Sequence, residues 1–391
     1  MQEAFICTAI RTAGGRRAGR LSHLHPADLG GMIIDGVLDS SGVAPEAVDD
    51  VILGCVSQIG PQTFNIARTS VLSSRLPESV PGVSVDRQCG SSQQAMHFAA
   101  QAVLSGTQDL IIAGGVESMS TVPILAAMTI ATQAGLPGPF DGERMVKRYP
   151  GEDFSQFVGA ERVGAKYGVT RDELLDFAVS SHTRAIAATE AGRFDEEILP
   201  VGYADADGAP ALHVRDEGIR PPDRAKMAGL PALIPPDGLI NAAMASQICD
   251  GASAVLIANE RAVAAHGLRP LARVHTMAVC GSDPTIVLEG PIPATRLVLE
   301  RAGLTIDDIG LYEVNEAFGT VPLAWAKALG ADLDRLNVNG GAQALGHPLG
   351  ATGTKLVATL VHELRRRGER YGLVAICEGL GTANATIIEA L

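Results

Sequence analysis

The run VSVDRQCGSSQQAMHFAAQAVLSGTQDLIIAGG, residues 83–115, holds a short strand, a cysteine, a helix of small residues and a second strand. The VSVD end is β-branched, GSSQQAMHFAAQAVLSG has helical texture, and LIIAGG is an apolar run closed by glycines. Strands that alternate with helices predict an α/β layered fold. Upstream the same alternation continues. Pro26 opens a helical pattern with Leu29, Met32, Ile33 and Val37 on one face, closed near Gly42. Asp49 and Asp50 lead into the buried strand VILG, and a helix-like stretch runs from Ile66 to Arg75.

The last third repeats this plan. Pro293 is read as opening a helix that ends near Gly303, and Asp307 and Asp308 lead into the strand IGLYEV. A helix over Ala317 to Leu329, a glycine-rich segment, a long helix to about Arg367 and the strand LVAIC follow. Asp50 to Cys89 and Asp308 to His347 are both 39 positions, so corresponding landmarks recur at equal spacing. This points to a duplicated domain. Residues 1–117 form the first half, resumed at 246–269, and 270–391 the second. Residues 118–245, rich in Pro, Gly and charge, read as an insertion too long for a plain loop, with helices at Ala160 to Tyr167 and Arg171 to Ala191.

Composition narrows the function. With 391 residues and 46 % hydrophobic against 19 % charged, the chain has material for large cores and is not globally disordered. Its net charge of −13 makes nucleic acid a poor partner, and any anionic ligand needs a local basic patch. The 44 glycines exceed the usual share of about 7 % and suggest tight turns or backbone close to a ligand. The N-terminus lacks the order of a secretory signal, and the apolar run Val122 to Ala131 is about half a membrane span. A soluble, cytoplasmic protein is expected. The cysteines at 7, 55, 89, 249, 280 and 377 show no CxxC spacing, so neither a zinc site nor a disulfide framework is indicated.

Four positions could carry chemistry. Cys89 lies between a strand and a helix, where unpaired N–H groups and the helix dipole would favour a thiolate; a buried structural thiol is the alternative. His347 sits in NVNGGAQALGHPLGATG, with five glycines around it, and is the histidine to choose as a base for that thiol. Cys377 ends LVAIC beside glycines, at a place where side chains enter α/β active sites or simply pack in the core. Asn315, with Glu316 in EVNEAF, follows a strand, where an amide can orient water or polarise a carbonyl, or merely cap a turn.

VDRQCGSSQQA, EVNEAF, NGGAQALGHPLGATG and CEGLGTAN, in this order and spacing, resemble the signatures of the thiolase family, the acetyl-CoA C-acyltransferases. The resemblance spans essentially the whole chain. It implies two similar βαβαβαββ-type halves with an inserted loop domain. It also implies cleavage of 3-ketoacyl-CoA by CoA, or the reverse condensation, with CoA and acyl-CoA as substrates and no cofactor. Carried over, Cys89 is the nucleophile and His347 takes its proton. Cys377 is the acid/base at the acetyl Cα, and Asn315 holds a water of one oxyanion site. The N–H groups of Cys89 and Gly379 form the second oxyanion site. Arg220, in HVRDEGIRPPDRAKMAG with Arg215, Arg224 and Lys226, resembles the family's nucleotide-contacting arginine, and a merely solvated basic run is the alternative. Ser246, in MASQICDG, resembles the serine that meets pantetheine. A homodimer or homotetramer is the family's habit.

Three departures stand out. Ser92 replaces a common glycine, and Leu380 interrupts a common glycine run. Gln156 and Phe157 stand where short-chain biosynthetic relatives have His-Met. The last change argues against a strict acetoacetyl-CoA enzyme and for degradation of longer or bulkier chains, sterol-derived side chains among them. A ketoacyl synthase would use Cys with two histidines, whereas this chain offers Asn315 and Cys377. A silent acyl-CoA-binding scaffold would not need all four groups.

Overall fold

The computed structural model describes residues 2–205 and 207–391. The first half supplies strands β1 (Phe5–Thr12), β2 (Asp50–Gly54), β3 (Gly82–Val85), β4 (Leu110–Ser118) and β5 (Cys249–Ala258). The second supplies β6 (Ala272–Gly281), β7 (Leu311–Val314), β8 (Tyr371–Glu378) and β9 (Thr382–Ala390). All lie on one path, β7-β8-β9-β6-β1-β5-β4-β2-β3, with short strands Gly15–Arg16 and Ile198–Leu199 attached beside it. The seam between halves is brief: β1 meets β6 antiparallel at Phe5 opposite Arg273 and Ile6 opposite Ala272.

The halves match in order and sense. β2 runs parallel to β3 and β4, and β4 runs antiparallel to β5. Correspondingly, β7 runs parallel to β8, and β8 runs antiparallel to β9. Even the partner of β3 has its trace, a parallel bridge from Tyr312 to Leu336.

Helices α1 (Pro26–Ser41), α2 (Ile66–Leu72) and α3 (Ser91–Ser105) belong to the first half. From the insertion come α4 (Gln156–Lys166) and α5 (Arg171–Glu190), and from the second half α6 (Pro291–Ala302), α7 (Thr320–Leu329) and α8 (Thr352–Arg367). Strand alternation sorts them into layers. Val51 and Leu53 face α1 and α2, whereas Ile52 faces α3 and α8. Leu373, Ala375 and Cys377 face the α6–α7 side, whereas Val374 and Ile376 face α3 and α8. The α3–α8 pair is therefore a central layer between the two half-sheets. Its close crossing needs Gly353, since a Cβ there would fall 2.2 Å from the Gln93 amide nitrogen.

Local signals account for the helix ends. Gly42 closes α1 at φ 71, and Thr170 with Glu173 forms a capping box at the start of α5. Among the boundaries that differ from the sequence reading, α4 opens at Gln156, capped by Ser155, rather than at Ala160. Pro291, after the Gly290 cap, opens α6 in place of Pro293. α7 starts at Thr320 because Phe318 is drawn into a bridge with Ala245. α2 ends at Leu72 rather than Arg75, whose guanidinium pairs with Asp39.

The insertion is tied to the core by charge. Arg11 on β1, fully buried, meets Glu197 at 2.5 Å and Asp216 at 2.8 Å. Asp216 also accepts the Gly14 N–H at 2.7 Å, and Glu197 the Thr359 hydroxyl at 3.0 Å. Stripping one carboxylate from such a buried guanidinium costs about 3–5 kcal/mol. No helix among the described residues is long and apolar enough to cross a membrane.

Candidate active site

The site forms where the ends of β3, β7 and β8 converge on the glycine-rich segment before α8. Cys89 sits on a turn after β3. Within that turn the Gly90 N–H donates to Arg87 O at 3.1 Å and the Arg87 N–H to Ser91 Oγ at 2.9 Å. Gln88, just before the cysteine, is left-handed at φ 48, a strained state for a residue with a Cβ, and the Asp86 carboxylate accepts its N–H at 2.7 Å. Cys89 is half-buried.

Cys377 is the last but one residue of β8, fully buried and opposite Ala383 in register. The two thiols lie within electrostatic reach of one another. The loop after β8 closes on the Cys89 turn. A Cβ on Gly379 would stand 3.0 Å from Gln88 Oε1, and one on Gly90 would fall 1.9 Å from Glu378 Oε1. Leu380, next in the loop, is left-handed at φ 60 and half-exposed.

His347 is buried, and its surroundings decide its tautomer. Thr352 Oγ1 donates to Pro348 O at 2.8 Å, so at 2.6 Å from His347 Nδ1 it must accept the ring N–H. Nε2 is then the basic nitrogen, and it accepts from Asn315 Nδ2 at 3.3 Å. Asn315 Oδ1 is buried and has no partner among the described residues. Lys355 Nζ holds the carbonyls just before the histidine, Leu345 at 2.9 Å and Gly346 at 2.7 Å. Thr352→Val should free the ring to adopt the other tautomer. Acylation of Cys89 should then slow about tenfold to a hundredfold, as when other histidines lose an orienting partner. Stopped-flow acylation rates beside a thermal melt check it, and an unchanged rate removes the assignment.

The electrostatics reverse one expectation. Burial first, then the neighbouring Glu378, pushes the Cys89 thiol up to about 12. Cys89 is thus a thiol at rest, not a helix-stabilised thiolate. α3 begins only at Ser91, and a helix end is worth about 0.3–1 kcal/mol, less than burial beside acidic groups. Burial, then Cys89 and Glu378, holds Cys377 well above the usual thiol range. Burial and then Lys355 push His347 down to about 3, so the resting pair is neutral imidazole and neutral thiol.

The remaining candidates border this centre. Ser246 is half-buried, its N–H donating to Ala317 O at 3.0 Å; next to it, Gln247 O accepts the His347 N–H at 3.1 Å. Arg220 is exposed and bonds Gly218 O at 3.3 Å; a Cβ on Gly218 would fall 2.5 Å from Ala344 O, which places this loop against the histidine segment. Arg224 pairs with Asp172 and Asp176, and Lys226 with Asp223, so those two charges are already answered.

Residue spacing did not reveal several brackets. Glu316 accepts from Ser181 Oγ at 2.8 Å, Asn337 Nδ2 at 2.9 Å and the Gln343 N–H at 3.0 Å, clamping EVNEAF to the histidine segment. Glu117 accepts the Val56, Ser57 and Gly350 N–H groups at 2.9, 3.0 and 2.8 Å. Their only sequence signal is a carboxylate at an apolar strand end. Among the described residues, no group of three His, Cys, Asp or Glu side chains is placed to hold a metal.

A half-buried thiol with a second thiol in electrostatic reach, and an imidazole bonded to an amide, are the residue types that acyl transfer uses. The family models for the thiolase N-terminal and C-terminal domains match residues 4–261 and 268–390. The chain belongs to the thiolase family and is an acyltransferase. A steroid 3-ketoacyl-CoA thiolase of Mycobacterium tuberculosis is 53 % identical over all of this chain and 95 % of its own length. The 3-oxoadipyl-CoA/3-oxo-5,6-dehydrosuberyl-CoA thiolase of Escherichia coli K12 is 41 % identical over the full length of both. The crystal structure of human mitochondrial 3-ketoacyl-CoA thiolase superposes with a TM-score of 0.90 at 34 % identity, covering 100 % of this chain and 99 % of the other.

Proposed function

We propose that this chain cleaves 3-ketoacyl-CoA with CoA, giving acetyl-CoA and a shortened acyl-CoA through an acyl-Cys89 intermediate. The observation that carries this reading is the pairing of His347 Nε2 with Asn315, its Nδ1 facing Thr352, and the nearness of Cys89 to Cys377 supports it. As Cys89 Sγ attacks the 3-keto carbon, Nε2 takes its proton. The C2–C3 bond breaks, the acyl group stays on Cys89, and the departing acetyl-CoA enolate takes its proton at carbon from Cys377. The second CoA thiol then gives its proton to the Cys377 thiolate and displaces the acyl group. The proton on His347 returns to Cys89. Oxygens that gain charge meet Asn315-held water with His347 in one place and the Cys89 and Gly379 N–H groups in the other. Each such donor is worth about 3 kcal/mol.

Thioester and thiol supply nucleophile and leaving group, so the reading includes no resident cofactor. It also takes Arg220 and Ser246 as contacts to the nucleotide and pantetheine of CoA, and a cytoplasmic homodimer or homotetramer as the working form.

The acyl group is read as long or bulky. Phe157, half-exposed at the start of α4, packs edge-on against Phe318 with centroids 5.7 Å apart, and Phe318 bridges to the residue before Ser246. On the reading of Ser246 as the pantetheine contact, Phe157 would offer an aromatic surface beside the substrate arm. Support also comes from the steroid and 3-ketoacyl names of the relatives. Rates with acetoacetyl-CoA, a long straight-chain and a ring-bearing 3-ketoacyl-CoA test it. The ring-bearing or long substrate should give at least about tenfold higher kcat/KM, the scale of one or two kcal/mol of apolar contact. Preference for acetoacetyl-CoA overturns the chain reading, and no cleavage of any of them overturns the reaction.

A further inference from the structure

Glu378 ends β8 between Cys377 and Gly379 and is fully buried, yet neither carboxyl oxygen has a hydrogen-bond partner among the described residues. Such a group normally carries a full set of bonds. Its Oε1 lies against Gly90, on the turn that presents Cys89. Two further buried atoms nearby lack partners: Arg87 Nε on the same turn, and Oδ1 of Asn384, whose Nδ2 donates to Gly90 O at 3.1 Å. An uncharged carboxyl has an O–H to offer an acceptor such as Asn384 Oδ1; an ionised one has not.

We propose that Glu378 is a positioning residue for the nucleophile turn, seated as the uncharged acid against Gly90, where it braces Cys89 and keeps negative charge away from both thiols. The proposal rests on the reading of Cys89 as the acylated nucleophile. Around the carboxyl, the turn contributes Asp86, Arg87 and Cys89, its own strand contributes Cys377, and β6 contributes Cys280. The adjoining β9 brings the uncharged Thr382 and Asn384. Burial pushes Glu378 up to about 8, while the nearby Thr382 hydroxyl, outside hydrogen-bond geometry, and the Arg87 charge pull the other way. When it ionises, both thiols face a carboxylate at the moment each must become a thiolate, and the carboxylate is drawn from Gly90 towards Arg87.

The test is single-turnover release of acetyl-CoA from a 3-ketoacyl-CoA without added CoA, in wild type, Glu378→Gln and Glu378→Ala, on either side of pH 8. From pH 7 to pH 9 the wild-type rate should fall about tenfold relative to that of Glu378→Gln, one pKa unit of thiolate disfavour. Glu378→Ala, which loses the brace as well as the charge, should be slower than Glu378→Gln at every pH. A second readout needs no turnover: iodoacetamide should label Cys89 faster in Glu378→Gln than in wild type at pH 9, and equally at pH 6. Matching pH profiles and labelling rates for wild type and Glu378→Gln overturn the proposal. A wild type that releases no acetyl-CoA but labels in the expected pattern overturns the function and leaves the placement of Glu378 standing.

Discussion

Cys89→Ala is expected to lower thiolysis by about 10⁴-fold or more, the scale seen when the attacking atom of a covalent mechanism is removed. No other group can take its place. Cys377, the second sulfur in reach, is fully buried and its thiol is held well above the usual thiol range, so it is poorly placed to accept an acyl group. The loss should fall on kcat, and CoA should still bind, because the proposed CoA contacts Arg220 and Ser246 are untouched. Mass spectrometry after incubation with acetyl-CoA should show an acetyl group on the wild type and none on the variant. Thiolysis retained near the wild-type rate would remove Cys89 from the mechanism.

Cys377→Ala divides the reaction differently. The variant should still become acetylated at Cys89 by acetyl-CoA, because that step uses His347 and the oxyanion donors. It should lose the exchange of acetyl Cα hydrogens with deuterium from solvent by about 10²- to 10⁴-fold, the usual worth of a placed acid/base. The pair of assays separates a structural fault, which depresses both, from loss of the proton carrier, which depresses one. Exchange that survives would assign the carbon-bound proton to another group. The neutral imidazole sharpens this reading. In the resting site His347, pushed down to about 3, is unprotonated and so is available as a base.

Much of the frame was legible in the residues. β-branched runs ending in glycine marked the strands, Pro26 and Gly42 bracketed α1, and the equal spacing of Asp50 to Cys89 and Asp308 to His347 foreshadowed the matched half-sheets. Cys89, His347, Asn315 and Cys377 were picked out because each lies at a strand end or among glycines, and the structure pairs His347 with Asn315 and sets Cys89 near Cys377. What escaped was long-range. Arg11 finds Asp216 across 205 positions, and Glu117 finds Gly350 across 233. No periodicity encodes such pairings. The charge state of Cys89 escaped for a related reason. The local signal, a helix start, was visible, whereas the stronger influences were burial and then Glu378, nearly three hundred residues away. Likewise Arg224 looked free until Asp172 and Asp176 on α5 were seen to answer it.

The brief seam at Phe5–Arg273 and Ile6–Ala272 joins two half-sheets of like order, and it sets where labour is divided. At corresponding stations, one half presents a sulfur before its central helix and the other presents an imidazole. On the proposed mechanism the two copies of a common plan are no longer interchangeable: one offers the attacking sulfur, the other the groups that move protons. Either half alone would fall short, one holding Cys89 without His347, the other His347 and Cys377 without Cys89. The interior face between the copies is thus not a buttress for a site built elsewhere but the place where a symmetric scaffold becomes an asymmetric tool.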